Sequence, residues 1–295
     1  MKKIICILGF CAALGLSVTG CGEDAASPGG SKGASSASQA KAASSSGEVE
    51  KWNAYVELVN EEGRIDLFKR FDEYVAVFGE EFAKPADTGA YNKFKYIKLE
   101  KVNELAEKCL QLSAAKKDRL DEAMNEHAVK LLAFSRPMEE MVKYINSKGY
   151  VDDDYARGKE LHAAILAAIE PFEDTLDALN DAMAAKDASN MEAALQDAEK
   201  KGNKITVAFI KFMDAAEEVD AEFHRQQIPD GPADKKLDVP AYRVPYDKLA
   251  ALAKELEGYM SDEKLTKKEG LNEHSRKFFI EYVQKTKAAA AEAIE

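Results

Sequence analysis

The stretch YARGKELHAAILAAIEPFEDTLDALNDAM, residues 155–183, decides the fold of this 295-residue chain. Its apolar and small residues recur at alternating steps of three and four, which places them on one face of an α-helix. The members of this stripe are Tyr155, Gly158, His162, Ile165, Ile169, Phe172, Leu176, Leu179 and Met183. Such a stripe predicts a long helix that packs against other helices at a shallow angle.

The next segment repeats the same spacing. Its stripe consists of Met191, Leu195, Ala198, Gly202, Ile205, Phe209, Phe212, Ala216, Val219 and Phe223. Shorter stripes cover residues 52–82, 91–112, 120–145, 249–259 and 271–283. No β-strand alternation of useful length interrupts them. We therefore predict an all-α fold, an elongated up-and-down bundle of long antiparallel helices.

Prolines and capping residues suggest where these helices end. Residues 228–245, IPDGPADKKLDVPAYRVP, contain four prolines, and we predict one irregular Pro-rich connection there. Pro137 and Pro171 lie inside helical stripes and predict kinks. Ser189 or Asn190 is placed to cap the helix of the second long stripe, and TKKE at 266–269 resembles a capping box for the last helix.

The first 21 residues, MKKIICILGFCAALGLSVTGC, have the layout of an export signal. The apolar run over 4–18 is shorter than the about 20 residues that a membrane-spanning helix needs. The four residues 18–21, VTGC, resemble the lipobox of bacterial lipoproteins, in which the cysteine thiol receives a diacylglyceryl group and becomes the new N-terminus. We expect a lipoprotein signal peptide over 1–20 and lipidation of Cys21; an ordinary cleaved signal is the alternative.

The segment after Cys21 contains Ser, Gly and Ala but no large apolar residue up to position 47. We expect a lipidated N-terminus and flexible tether over 21–47, followed by a single helical-bundle domain over 48–295. By resemblance to lipoproteins, the N-terminus carries two or three acyl chains, and two already hold a protein stably on a bilayer. Gly22 stands where an aspartate would resemble an inner-membrane retention signal. The expected location is therefore the bacterial cell envelope, with the outer membrane, facing periplasm or surface, favoured over the inner membrane.

The net charge and the cysteine content limit the classes of partner that the protein is expected to bind. The net charge is −12 and becomes −14 once Lys2 and Lys3 leave with the signal. This balance argues against nucleic-acid binding, which needs a basic face. The expected partner is the lipid bilayer through acylated Cys21, with an envelope protein as a second candidate. Cys109 is the one thiol left after processing, so no internal disulfide can form.

Few residues qualify as chemical sites. Asp220 and His224 are one helical turn apart and are weak candidates for a metal site, although a helix-surface pair explains them more simply. Gly158, His162 and Gly202 lie on stripes and outline an alternative, a pocket for a small ligand or metal; close helix approach explains the glycines too. We find no nucleophile elbow, phosphate loop or catalytic constellation, and expect no catalytic residue, no cofactor and no enzymatic activity.

Two segments carry a family resemblance. KWNAYVELVNE at 51–61, after a Ser-rich tether, and YVDDDYARGKELHAAI at 150–165 resemble the YiiG-like bacterial lipoproteins, helical domains of unknown function. The resemblance implies a helical, lipid-anchored protein and transfers no activity or catalytic residue. We therefore expect a membrane-anchored cell-envelope lipoprotein that serves as a non-enzymatic binding or structural interaction module.

Overall fold

The structure, a computed structural model, describes residues 35–85, 87–93, 95–226 and 237–294. Its regular elements over these residues are all helical, which confirms the all-α helical bundle. None of the described helices is long and apolar enough to cross a bilayer. The signal peptide and Cys21 lie outside the described residues.

The helices fall into two compact units that divide between Ala188 and Ser189, and each unit is described by itself. The elongated single domain expected over 48–295 stays a prediction. The first unit contains α1 (Ser35–Ile65), α2 (Leu67–Phe78), a 3₁₀ helix (Thr88–Lys93), α3 (Glu100–Ser113), α4 (Arg119–Asn146), α5 (Tyr150–Asp153), α6 (Ala156–Glu173) and the first half of α7 (Leu176–Lys201). The second contains the rest of α7, α8 (Lys204–Arg225), α9 (Val239–Ser261), α10 (Glu263–Lys268) and α11 (Glu273–Glu292).

In the first unit, α3 runs antiparallel to α1. The thiol of Cys109, near the end of α3, donates to the carbonyl of Ala54 at 3.4 Å. The ammonium of Lys101, near the start of α3, lies 3.2 Å from the Glu57 carboxylate, further along α1. Positions therefore rise along α1 as they fall along α3.

The other two long helices complete an up-down-up-down arrangement. The rings of Phe71 in α2 and Phe134 in α4 lie 6.0 Å apart, and Tyr55 of α1 meets Asp121 at the start of α4. Helix α4 is therefore parallel to α1 and α2. In α6 the order reverses, because Phe172 packs on Phe68 whereas the earlier residue His162 contacts the later residue Tyr74. The first unit is a four-helix bundle in which neighbouring helices alternate in direction.

Helix α1 begins earlier than the composition suggested. The expected flexible tether reached residue 47, yet the structure is helical from Ser35. The segment SSASQAKAASSS at 35–46 contains neither proline nor glycine, and alanine, glutamine and lysine are good helix formers. From Ser35 onward the structure therefore differs from the expected flexible segment, whose first part lies outside the described residues.

The expected irregular connection over 228–245 is also helical at its end, since α9 begins at Val239. The carboxylate of Asp238 accepts a hydrogen bond from the Ala241 N–H at 3.2 Å, and Pro240 sits in the first turn, where its missing N–H costs nothing. Pro245 lies inside the helix. The buried Tyr242 side chain fixes this end, because its hydroxyl donates to the Ala290 carbonyl at 3.0 Å. Residues 227–236 lie outside the described part.

Several expected helix boundaries were misplaced as well. Ser189 and Asn190 cap nothing, because α7 runs through both. Thr266 lies inside α10, and Asn272 caps α11 by accepting from the Ser275 N–H at 2.8 Å. Pro137 lies within the continuous helix α4, while α6 ends two residues after Pro171.

In the second unit, the start of α8 is capped from far along the chain. Asn203 makes no capping side-chain bond. The Glu269 carboxylate accepts instead from the N–H groups of Ile205 at 2.9 Å and Thr206 at 3.0 Å. Next to it, the ammonium of Lys268 donates to the carbonyl of Gly202 at 2.9 Å, where φ is +63°. These bonds join the α7–α8 turn to α10 and satisfy exposed ends of two helices.

A buried carboxylate joins α1 to α4 in the first unit. Asp121 is 1% exposed and receives the hydroxyl of Tyr55 at 2.9 Å, the ammonium of Lys51 at 3.0 Å and the N–H of Lys117 at 3.2 Å. Burial pushes the pKa of Asp121 upward, but the hydrogen bonds from Lys51, Tyr55 and the Lys117 N–H outweigh it, so the pKa lies below its ordinary value. The ionised form is therefore the one that stabilises the fold.

We expect Asp121→Asn to lower the free energy of unfolding at pH 7 by about 2 kcal/mol, the scale of hydrogen bonds to a charged group. A depressed pKa contributes stability above the unfolded-state value of about 3.9 and loses it as the pH falls through the folded-state value. The difference between wild type and variant should therefore shrink below about pH 4. Denaturation followed by fluorescence of the single tryptophan, Trp52 in α1, measures it.

Asp118→Asn is the matched control. Asp118 is the N-cap of α4, and asparagine caps as well as aspartate does. The free energy of unfolding of Asp118→Asn should stay near that of the wild type at pH 7 and at pH 3. An equal loss of unfolding free energy in the two variants would contradict the stabilising role of ionised Asp121. So would a difference between wild type and Asp121→Asn that is the same at pH 3 as at pH 7.

Candidate functional site

The three residues of the expected ligand pocket do not belong to one unit. Gly158 and His162 lie one turn apart on α6, in the first unit. Gly202 belongs to the second unit, directly after the end of α7. Its left-handed backbone, with φ +63°, explains the choice of glycine there without a ligand.

His162 is a core histidine with both ring nitrogens satisfied by the protein. Its Nε2 lies 3.0 Å from the Glu80 carbonyl, which can only accept, so Nε2 carries the hydrogen. In the neutral imidazole Nδ1 is then an acceptor and receives the Tyr74 hydroxyl at 2.7 Å. The Phe82 ring packs edge-on against the imidazole at 5.3 Å. These contacts fix one tautomer and hold α6 against α2.

Gly158 allows aromatic rings to approach α6 closely. A Cβ at this position would lie 3.0 Å from the Tyr144 ring and 3.3 Å from the Phe82 ring. These two rings fill the space beside Gly158 that a ligand would need. The structure therefore supports close packing as the reason for this glycine.

Asp220 and His224 form a surface pair on α8. The imidazole Nδ1 lies 3.4 Å from the Asp220 carboxylate, and both side chains are about three-quarters exposed. Over the described residues, no group of three or more His, Cys, Asp or Glu side chains is arranged to hold a metal ion. Cys109 is a buried thiol, and burial raises its pKa to about 12.

The structure brings together a set of polar side chains that the sequence did not reveal. The imidazole of His127, in α4, lies between the Glu62 carboxyl group of α1 and the Thr175 hydroxyl at the joint between α6 and α7. Its Nε2 is 3.1 Å from each oxygen of Glu62, and its Nδ1 is 2.8 Å from Thr175 Oγ1. The Thr175 hydroxyl in turn donates to the Phe172 carbonyl at 2.7 Å. We call Glu62, His127 and Thr175 the histidine chain.

The histidine chain is almost completely buried. Exposure is 0% for His127, 1% for Glu62 and 6% for Thr175. The His127 ring packs against Phe172 at a centroid distance of 5.4 Å. The Thr175 end of the histidine chain borders a surface cavity of about 230 Å³, which is also lined by Glu126, Lys130 and Asp174. One end of the chain is therefore in the core and the other is next to solvent.

The sequence did carry a signal for this site. Glu62 continues the stripe of Trp52, Tyr55 and Val59 by one further step, and His127 falls between Met124 and Leu131 on the α4 stripe. A search for partners within one helical turn could not pair them, since they are 65 residues apart. The useful signal for this site was the presence of an ionisable residue on the apolar stripe of each of two different helices.

Most of the chain falls within one family. A family model described as protein of unknown function (DUF3829) matches residues 46–295, and the chain belongs to this family. No curated protein and no solved structure matches the chain.

We expect Tyr74→Phe to lower the free energy of unfolding of the first unit by about 2 kcal/mol, because the buried Nδ1 of His162 loses its donor. Tyr96→Phe is the control, since Tyr96 is 83% exposed, and it should change stability by less than about 0.5 kcal/mol. Denaturation followed by Trp52 fluorescence compares the two. Equal stabilities for both variants would contradict the bonding pattern of His162.

Proposed function

We propose that this DUF3829 protein is a lipid-anchored component of the bacterial cell envelope, of the YiiG-like lipoprotein type, that serves as a binding or structural interaction module. The observation that carries the proposal is the VTGC motif at 18–21, directly after a basic start and a short apolar run. Acylated Cys21 holds the protein on the bilayer, and two or more acyl chains make that attachment stable.

The course of α1 supports this proposal. Thirteen residues lie between Cys21 and Ser35, where α1 begins. The same helix continues to Ile65 and supplies Tyr55 and Glu62 to the interior of the first unit. The residue proposed to carry lipid is thus close in sequence to a helix that is part of the core.

The pairing of buried ionisable groups supports an interaction role. Asp121, His127 and His162 each bond to other groups of the protein, and these bonds hold helices together. None of these three groups lies on the surface, since each is at most 4% exposed. We therefore place the function on the surface of the anchored units, with a protein of the envelope as the partner.

Replacing Cys21 tests the anchor. We expect Cys21→Ala, expressed in bacteria that process lipoproteins, to accumulate as the precursor with residues 1–20 attached and to take up no labelled palmitate. Cys11→Ala is the matched control, because Cys11 lies in the apolar run and leaves with the signal; it should be processed and labelled normally. Normal labelling of the Cys21→Ala protein would overturn lipidation at this cysteine.

A photo-crosslinking amino acid at exposed positions tests the interaction role. Tyr96 and Val151 are 83% and 69% exposed, so replacing either residue leaves the core intact. We expect irradiation of intact cells to give a discrete adduct with an envelope protein from the anchored chain and at least tenfold less from the Cys21→Ala background. If these and other exposed positions give no adduct in the anchored protein, the interaction role fails while lipidation stands.

A further inference from the structure

We propose that the histidine chain is a proton-controlled switch at the joint between α6 and α7. Gain or loss of one proton by the Glu62–His127 pair decides whether the Thr175 hydroxyl bonds the end of α6 or turns to the imidazole. The switch lies entirely within the first unit and does not depend on the lipid anchor.

The Thr175 end of the chain fixes one hydrogen. The Phe172 carbonyl, 2.7 Å from Thr175 Oγ1, can only accept, so the hydroxyl donates to it. The same oxygen lies 2.8 Å from Nδ1 of His127 and has its lone pairs free for that contact. In this arrangement Nδ1 of His127 carries a hydrogen and donates to Thr175.

The Glu62 end then requires a second hydrogen. When Nδ1 of a neutral imidazole carries the hydrogen, Nε2 has only a lone pair. An ionised Glu62 carboxylate, whose oxygens lie 3.1 Å from Nε2, also offers only lone pairs. A proton must lie between them, either on Nε2 or on the carboxyl group. In both cases the pair has no net charge, and burial favours this state because an uncompensated buried charge is costly.

Loss of that proton to solvent rearranges the hydrogen bonds of the histidine chain. The carboxylate of Glu62 then needs a donor, which the imidazole supplies when its remaining hydrogen is carried on Nε2. Nδ1 becomes an acceptor, and the Thr175 hydroxyl turns from the Phe172 carbonyl to Nδ1. The carbonyl keeps the Thr175 N–H at 3.1 Å but loses the hydroxyl. One proton leaves, and one hydrogen bond at the helix end changes partner.

The affected position is a structural joint. Helix α6 ends at Glu173 and α7 begins at Leu176, so the hydroxyl bond lies across the break between the two helices. Pro171, one residue before Phe172, has no N–H, so the last turn of α6 lacks one backbone hydrogen bond. Changing the Thr175 bond therefore alters how firmly the end of α6 is held.

Protons can reach the histidine chain from its Thr175 end. The cavity next to Thr175 opens between Glu126 and Lys130 of α4 and Asp174 of the joint, which are the charged groups facing this end. At the inner end, Cys109 of α3 is a titratable neighbour that interacts electrostatically with Glu62. The buried rings around His127 contribute no charge.

Selective nitrogen labelling of histidine in the purified full-length processed chain tests the switch. The His127 ring signals, assigned with His127→Gln, should show a tautomer or protonation change in NMR spectra between pH 4.5 and 9. Over the same step, amide hydrogen exchange of residues 172–178, corrected for intrinsic rates, should change about fivefold, the effect of one ordinary hydrogen bond.

Two isosteric variants isolate the mechanism. Glu62→Gln donates an amide hydrogen to Nε2 and keeps the Thr175–Phe172 bond at every pH, whereas Thr175→Val has no hydroxyl. Both should abolish the pH step in exchange of residues 172–178, and Thr175→Ser should retain it. If the NMR signals of the His127 ring nitrogens in the wild type stay unchanged from pH 4.5 to 9, that result alone overturns the proposal. An exchange step that persists in either isosteric variant also overturns it.

Discussion

The packing of Phe172 between Phe68 and Phe134 is the contact on which the first unit depends. Both neighbours lie at a centroid distance of 5.6 Å with nearly parallel rings, so α2, α4 and α6 meet at one level. Aromatic stacking of buried rings combines a large buried area with a preferred geometry. The level of this stack sets the register of the three helices, and the pairing of polar groups above and below it follows from that register.

Several buried polar groups in this unit are matched across helices. His127 lies directly against Phe172, so the apolar stack and the Glu62–His127 pair share one environment. A group this deep retains its place only with partners in good geometry. Asp121 and His162 follow the same rule at other levels of the bundle. A shift of one helix by a single turn would leave several of these groups without partners, which makes the register specific.

The sequence predicted the class of fold because the stripes report burial directly. The steps of three and four in 155–183 follow from helix geometry, and the helices α6 and α7 bear their residues on the buried side as expected. The boundaries were less predictable, because long-range bonds decide them. Glu269 caps α8 from 63 residues away and Asp238 with Tyr242 makes a proline-containing segment helical. The histidine chain escaped prediction because its members come from α1, from α4 and from the joint between α6 and α7, which are far apart in the sequence.

The unbroken course of α1 from Ser35 to Ile65 also has a mechanical meaning. A pull on the chain ahead of Ser35 acts along the axis of a helix that packs side by side with α3. The load then falls on the contacts of Ala54, Tyr55 and Glu57 together, in shear, instead of peeling them apart one after another. Tension at the N-terminal end is therefore borne by the first unit as a whole.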